Sequence, residues 1–592
     1  MSQETRSCQN CKNTFTIEDE DFAYYEKVNV PAPTWCPECR LIRRMATSNL
    51  KNLYPDTCDL CGKKMLSMYS PDKPFKVYCN TCWWSDKWDA TTYEREYDFN
   101  KTFFEQYYEL QLQVPQMALS VNTPTVENSD FCNGAGYIKN CYWVFFADYS
   151  QDCFYSDYIV KMKDSFECLR SRDSELCFQC TNVTNSYGTF YSVDCDNCTN
   201  VMFSIDCIGC QDCFGCAGLR KKQFCIFNKQ YSEKEYKEKI AELQPSSYKK
   251  LQELKEQAHQ TWLSVPRKFM HGTRNQDVTG DYVSSSKNVK NGFFITEAED
   301  CKYCAMAYLD VKDCFDYASW GDGVSLIYDS FGVGHRSTNV QFSYNAWESL
   351  SEIFYSTYCF SSSNLFGCAG LSKKQYYILN KQYSKEDYES MVQKIRTQMN
   401  EKPYKDSKGR TYTFGEFFPI EFNLHNYNES FAQEFFPKKK EEVEKLGWPW
   451  HDFASKNFQV TMQPEVLPDN VSDAPETITK EIIGCAHAGK CNDQCTTAFK
   501  IIPQELSFYK KHGMALPRLC PNCRLQERRA QLQPMKLWSR TCACKGTKAG
   551  THNNTEKHFH GEDACPNTFE TSYSPERKEI VYCEECYRSE MA

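Results

Sequence analysis

The chain has 592 residues, a formal charge of −9 at pH 7, 25% charged and 41% hydrophobic residues, and 36 cysteines against 10 histidines. That length suits roughly four domain equivalents, which excludes a small scaffold stapled by disulfides in place of a core. The opening Met1-Ser-Gln-Glu-Thr-Arg-Ser has no apolar leader, and no run nears the ~18 apolar residues of a membrane span.

The expected location is therefore cytoplasmic with no membrane partner. In that compartment cysteines stay thiols and act as metal ligands or small buried groups. The acidic balance excludes a chain that coats nucleic acid along its whole length, while leaving room for a local basic face.

In chain order, the first signal is Cys8-x-x-Cys11 with Cys36-Pro-Glu-Cys39, followed by Cys58-x-x-Cys61 with Cys79-x-x-Cys82. Two turns, each presenting two thiolates, close a tetrahedral Zn²⁺ site, so residues 1–48 and 49–98 are expected to be two small zinc modules.

A Cys-rich array over 128–227 has a different pattern. Cys177, Cys195 and Cys213 are 18 apart, as are Cys180, Cys198 and Cys216, and Asn or Asp often precedes the cysteine, as in Asn140-Cys141 and Asp152-Cys153. Fixed periods near 20 residues with short strands and turn residues predict a parallel β-solenoid. Its cysteines read as stacked packing groups, with metal coordination as the alternative.

Phe214-Gly-Cys-Ala-Gly-Leu recurs 152 residues on as Phe366-Gly-Cys-Ala-Gly-Leu, which predicts a second, related array over 280–379. Ser232-x-x-Glu235 is a capping box and Ser384-x-x-Asp387 a weaker one, so helices near 232–258 and 384–399 are expected to cap or connect the arrays, within segments 228–260 and 380–484.

The chain then repeats its beginning. Cys495, Tyr509, Pro517, Cys520, Cys523, Arg524 and Arg528 sit 484 positions after Cys11, Tyr25, Pro33, Cys36, Cys39, Arg40 and Arg44. The module over 485–530 is assigned Cys491, Cys495, Cys520 and Cys523, with Cys485 as the alternative to Cys491. The one over 531–592 is assigned Cys542, Cys565, Cys583 and Cys586. There the offset grows from 484 to 504, so 20 residues are inserted, carrying His552, His558 and His560. Cys544 or a histidine is the alternative to Cys565. About four structural zinc ions are expected.

These terminal segments resemble the treble-clef zinc-ribbon family, in the pattern of a Cys pair, a Phe and Pro-x-x-Cys-x-x-Cys-Arg. Val77-Tyr-Cys79-Asn-Thr-Cys82-Trp and Tyr427-Asn-Glu-Ser-Phe-Ala resemble large uncharacterised proteins of candidate-phylum bacteria. The resemblance implies treble clefs over 1–48 and 485–530 and zinc ribbons over 49–98 and 531–592, with no activity attached. The expected fold is mainly β: two parallel β-solenoid-like arrays with capping helices, flanked by tandem α+β zinc modules.

No His-Glu-x-x-His signature accompanies the cysteines, and no local acid/base pair marks the arrays, so no catalytic residue and no small-molecule substrate is identified. The reading is a non-catalytic zinc-binding scaffold that binds a protein partner or itself. A second reading is nucleic-acid binding by Arg40, Arg43, Arg44, Arg524, Arg528 and Arg529, on the helices after the second knuckles. An enzyme or redox protein built on the β-solenoid is the third.

Overall fold

The computed structural model describes residues 3–453, 458–491, 494–546, 552 and 554–591. The chain is mainly β, with few helices, several two-stranded sheets, and two large sheets of 12 and 11 strands. It divides into two compact units, each made of separated segments. One joins Met1–Ser120 to Met270–Asp452 and Met535–Leu537; the other joins Val121–Phe269 to Phe453–Pro534 and Trp538–Ala592. The amino-terminal cysteine pairs thus share a unit with the second array, and the carboxy-terminal pairs with the first.

The strand period differs from the expected 18 residues. Glu175 pairs with Tyr187, Tyr187 with Thr199, Thr199 with Gln211 and Gln211 with Gln223, all parallel, a step of 12. The backbone explains the discrepancy. From Asn128 to Phe227 every third residue has positive φ, near 50° in the non-glycine cases. The next residue in the chain is buried at one position after another, among them Cys141, Cys153, Ser156, Cys168, Cys177 and Cys180. A step of 12 is four such triplets and 18 is six, so cysteines can repeat at 18 without lying in one column. The column through Cys177 runs Cys177, Thr189, Val201, Cys213, Cys225.

A left-handed conformation costs a non-glycine residue roughly 1–2 kcal/mol. Contacts one step apart offset it: Asn140 Nδ2 donates to Asp152 Oδ1 at 2.9 Å, and Asn182 Nδ2 to Asp194 Oδ1 at 2.6 Å. The rings of Tyr137 and Tyr149 stack at 4.7 Å, and those of Phe146 and Tyr158 at 4.4 Å.

In the second array the step is 12 or 13. Phe315 pairs with Tyr328 and Phe331 with Tyr344, whereas Ser351 pairs with Ser363 and Ser363 with Gln375. The extra residue falls where two left-handed residues are consecutive, as at His335–Arg336 and Glu348–Ser349.

Small interior side chains close the backbone hydrogen bonds that a three-residue repeat leaves over. Ser186 Oγ donates to Thr184 O at 2.7 Å and accepts from the Cys198 N–H at 3.0 Å. Cysteine thiols donate likewise, Cys195 to Val193 O at 3.4 Å and Cys213 to Gln211 O at 3.3 Å. Ser186→Ala leaves the Cys198 N–H buried without its acceptor. Urea titration is expected to show a loss of about 1–3 kcal/mol, whereas a surface serine would show almost none.

Each large sheet ends in an antiparallel strand and then a capped helix. Cys225 pairs with Gln230 and Tyr377 with Gln382. Ser232 caps Glu233–Leu243, and Ser384 caps Lys385–Glu401. Phe224 meets Tyr236 at 5.8 Å, and their counterparts Tyr376 and Tyr388 meet at 5.7 Å, so both helices cover the last strand in the same way. The first helix is shorter than expected. Left-handed Gln244 ends it, Pro245 comes next, and a second helix runs Tyr248–Leu263.

Candidate metal centres

Each terminal segment folds around its cysteine pairs. The second pair opens a helix, Pro37–Met45 after Cys36 and Pro521–Arg529 after Cys520, with Pro at the first helical position. Among the described residues, the groups whose thiols gather within 4.8 Å include Cys8, Cys11, Cys36 and Cys39; Cys58, Cys61, Cys79 and Cys82; Cys485, Cys495, Cys520 and Cys523; and Cys542, Cys565, Cys583 and Cys586.

Sulfur separations test the fit to a tetrahedral ion. Zn–S bonds of ≈ 2.3 Å give an S···S edge of about 3.8 Å. Cys11 and Cys36 are 3.7 Å apart, Cys61 and Cys79 3.9 Å, Cys520 and Cys523 3.5 Å, and Cys565 and Cys583 3.8 Å.

Protonation points the same way. The Cys36 and Cys39 thiols hydrogen-bond Cys8 and hold its sulfur well below the ordinary thiol range. Cys36 is drawn down by its hydrogen bond with Cys39, but its hydrogen bond with Cys8 and burial push it up to about 12. In the matching cluster Cys520 is lowered by hydrogen bonds from Cys485 and Cys523, while Cys523 is raised by hydrogen bonds with Cys485 and Cys520. Four thiols this close cannot all ionise against one another, and a divalent cation at the centre removes the conflict.

Two assignments bear comment. In the third cluster the structure groups Cys485, the alternative, with Cys495, Cys520 and Cys523. Cys485 reaches the site because Ile483–Gly484 pairs with Ala498–Phe499, which brings its thiol to 3.9 Å from Cys523. The assigned Cys491 stands beside that group, 3.7 Å from Cys523. In the fourth, Cys565 stands with Cys542, and Cys544 faces His558 instead.

The six arginines are not where a phosphate-binding face would put them. Arg40, Arg43, Arg44, Arg524 and Arg528 are buried. Arg40 Nη2 meets Asp316 Oδ2 at 2.7 Å, and Arg44 Nη1 meets Asp329 Oδ1 at 2.7 Å. Arg43 spans Asp329 at 3.0 Å and Glu416 at 2.9 Å. In the other unit Arg524 meets Glu167 and Glu505 at 3.2 and 3.1 Å, Arg528 meets Glu167 at 2.7 Å, and Arg529 meets Asp157 at 3.0 Å. Asp316, Asp329 and Glu167 sit at left-handed positions of the large sheets.

Aromatic residues one helix earlier complete the contact. Tyr24 stacks on Phe315 at 3.8 Å, and its counterpart Phe508 stacks on Phe166 at 4.1 Å. The duplicated aromatic and arginine positions therefore dock each terminal module on the large sheet of its own unit. Glu505, buried beside Arg524, is held above the usual carboxylate range by burial, which the guanidinium only partly offsets.

No family model matches the chain, and no curated protein matches it. A solved structure described as a "putative acetyltransferase" from Desulfovibrio desulfuricans matches at 11% identity over 49% of this chain and 86% of its own, with a TM-score of 0.10, a likeness that carries no argument. Among the described residues, no helix is long and apolar enough to cross a membrane.

Proposed function

We propose that the protein is a non-catalytic, zinc-stabilised scaffold. In this reading each large sheet is a parallel β-solenoid with a helical cap, the terminal segments are treble clefs over 1–48 and 485–530 and zinc ribbons over 49–98 and 531–592, and each of the four cysteine clusters holds a structural Zn²⁺. The observation that carries it is the duplicated dock: in both units the helix leaving the metal cluster commits its arginines to buried carboxylates of the neighbouring sheet. A four-thiolate site with no open position suits folding rather than turnover, and long regular strand stacks suit a surface for a protein partner or a second copy. A reducing compartment such as the cytoplasm would keep the thiols available.

Elemental analysis of the purified chain should give at least four zinc per molecule, and a value near zero would remove the reading. The nucleic-acid alternative is separated by electrophoretic mobility with random RNA and DNA. Buried guanidiniums release no counterions, so no salt-sensitive shift is expected from the five buried arginines, nor from Arg529, which is paired with Asp157. A shift that Arg529→Ala weakens in a still-folded protein would favour the alternative.

A further inference from the structure

The fourth cluster holds more donors than one tetrahedral ion uses. We propose that the carboxy-terminal module binds two zinc ions that share the Cys586 thiolate, the insertion supplying the two histidines of the second site. The proposal rests on the zinc reading above and adds one ion to it.

The first set is Cys542, Cys565, Cys583 and Cys586; the second is Cys544, His558, His560 and Cys586, with all donor atoms of each set within 4.8 Å. A thiolate sulfur has lone pairs enough for two metals, so two tetrahedra can meet at one corner. Zn–S of ≈ 2.3 Å and Zn–N of ≈ 2.0–2.1 Å give an S···N edge of about 3.5 Å. Cys544 Sγ lies 3.3 Å from His558 Nδ1, and Cys586 Sγ 3.2 Å from His560 Nε2.

The far side of each imidazole carries the second argument. A metal-bound histidine almost always places its other ring nitrogen on a carboxylate or a carbonyl, which fixes the tautomer and aims the ligand lone pair. His560 Nδ1 is 2.7 Å from the Asp563 carbonyl, and His558 Nε2 is 3.4 Å from Glu590 Oε2. Both rings are thus oriented from behind with the free nitrogen turned to sulfur. His558 is buried, and Cys544 and Cys586 are fully so. Amide groups also face the sulfurs: Asn554 Nδ2 donates to Cys544 at 3.1 Å and Asn567 Nδ2 to Cys583 at 3.4 Å. Two neutral imidazoles and a shared thiolate ease the charge that a lone four-thiolate site carries.

The amino-terminal copy is an internal control. Its pair is Cys58-x-x-Cys61, whereas here Cys542-Ala-Cys544 puts an extra sulfur one residue earlier, and the inserted histidines have no counterpart at 58–82.

The test is zinc content of the full chain and of His558→Ala/His560→Ala, with His259→Ala, an exposed histidine of the Tyr248–Leu263 helix, as a control outside both sets. Wild type and control should hold one more zinc than the double variant, about five against about four, with the other sites retained. Equal content in all three would overturn the proposal. A wild type with no zinc would overturn it together with the structural reading, whereas four in every form would remove this proposal alone. Should the double variant fold poorly, NMR of the cadmium-substituted wild type decides. Two cadmium resonances coupled to each other through Cys586 are expected, and an uncoupled set from this module would overturn the proposal.

Discussion

Stripping the metal is expected to unfold the terminal cysteine modules while the two large sheets persist. Structural zinc contributes ~10–16 kcal/mol per site in small zinc-finger peptides, more than a module of about 50 residues gains from its own core. The sheets draw on a different source. Their interior thiols donate to backbone carbonyls, as Cys195 and Cys213 do, and their strands pair along the whole stack. After chelation, limited proteolysis should cut within 3–98 and 485–591 and spare 128–227 and 280–379, with strand-type circular dichroism retained. Uniform cleavage, or no change on chelation, would contradict this division of stability.

Glu167→Ala is expected to be among the most damaging single substitutions outside the metal ligands. Its carboxylate faces both Arg524 and Arg528 and accepts from Tyr509 at 3.3 Å, and those three partners are buried. Removing it leaves Arg528 buried without a carboxylate and Arg524 with Glu505 alone, a loss of about 3–5 kcal/mol in comparable buried pairs. The urea midpoint should fall with little change in slope. Combining Glu167→Leu with Arg528→Met should recover much of the loss, because Arg524 keeps Glu505 and no buried guanidinium then lacks a carboxylate. Asp316→Ala should behave like Glu167→Ala in the other unit, where that carboxylate faces Arg40 and Arg44 at 2.7 and 3.3 Å. A Glu167→Ala protein as stable as the parent would mean that these arginines find water instead.

Much of the architecture could be read from spacing. The paired cysteines at 8–39, 58–82 and 520–523 come together, because two residues between ligands is a turn-length property that depends on nothing distant. The capping boxes at Ser232 and Ser384 start helices for the same local reason. The Asn and Asp before cysteines carried more information than the 18-residue spacing suggested: they are left-handed residues, each placed just ahead of a buried cysteine. The three-residue backbone period was present in those pairs, but cysteine spacing alone was a misleading ruler, since cysteine shares the interior with Ser, Val, Thr and Ala.

Local pattern by itself determined the cysteine pairs, the duplication of the two ends, the helix starts and the mainly β centre, each a matter of residues close in sequence. Tertiary structure alone decided the rest. Whether Cys485 or Cys491 completes a cluster depends on a strand pairing between 483 and 499. The role of the arginines depends on carboxylates some 270 to 370 residues away in the chain. A run of arginines on a helix looks the same in sequence whether it faces phosphate or a buried carboxylate. The difference is burial: once water is excluded a guanidinium must meet a negative charge, and only the folded chain supplies Asp316, Asp329 and Glu167 at that place.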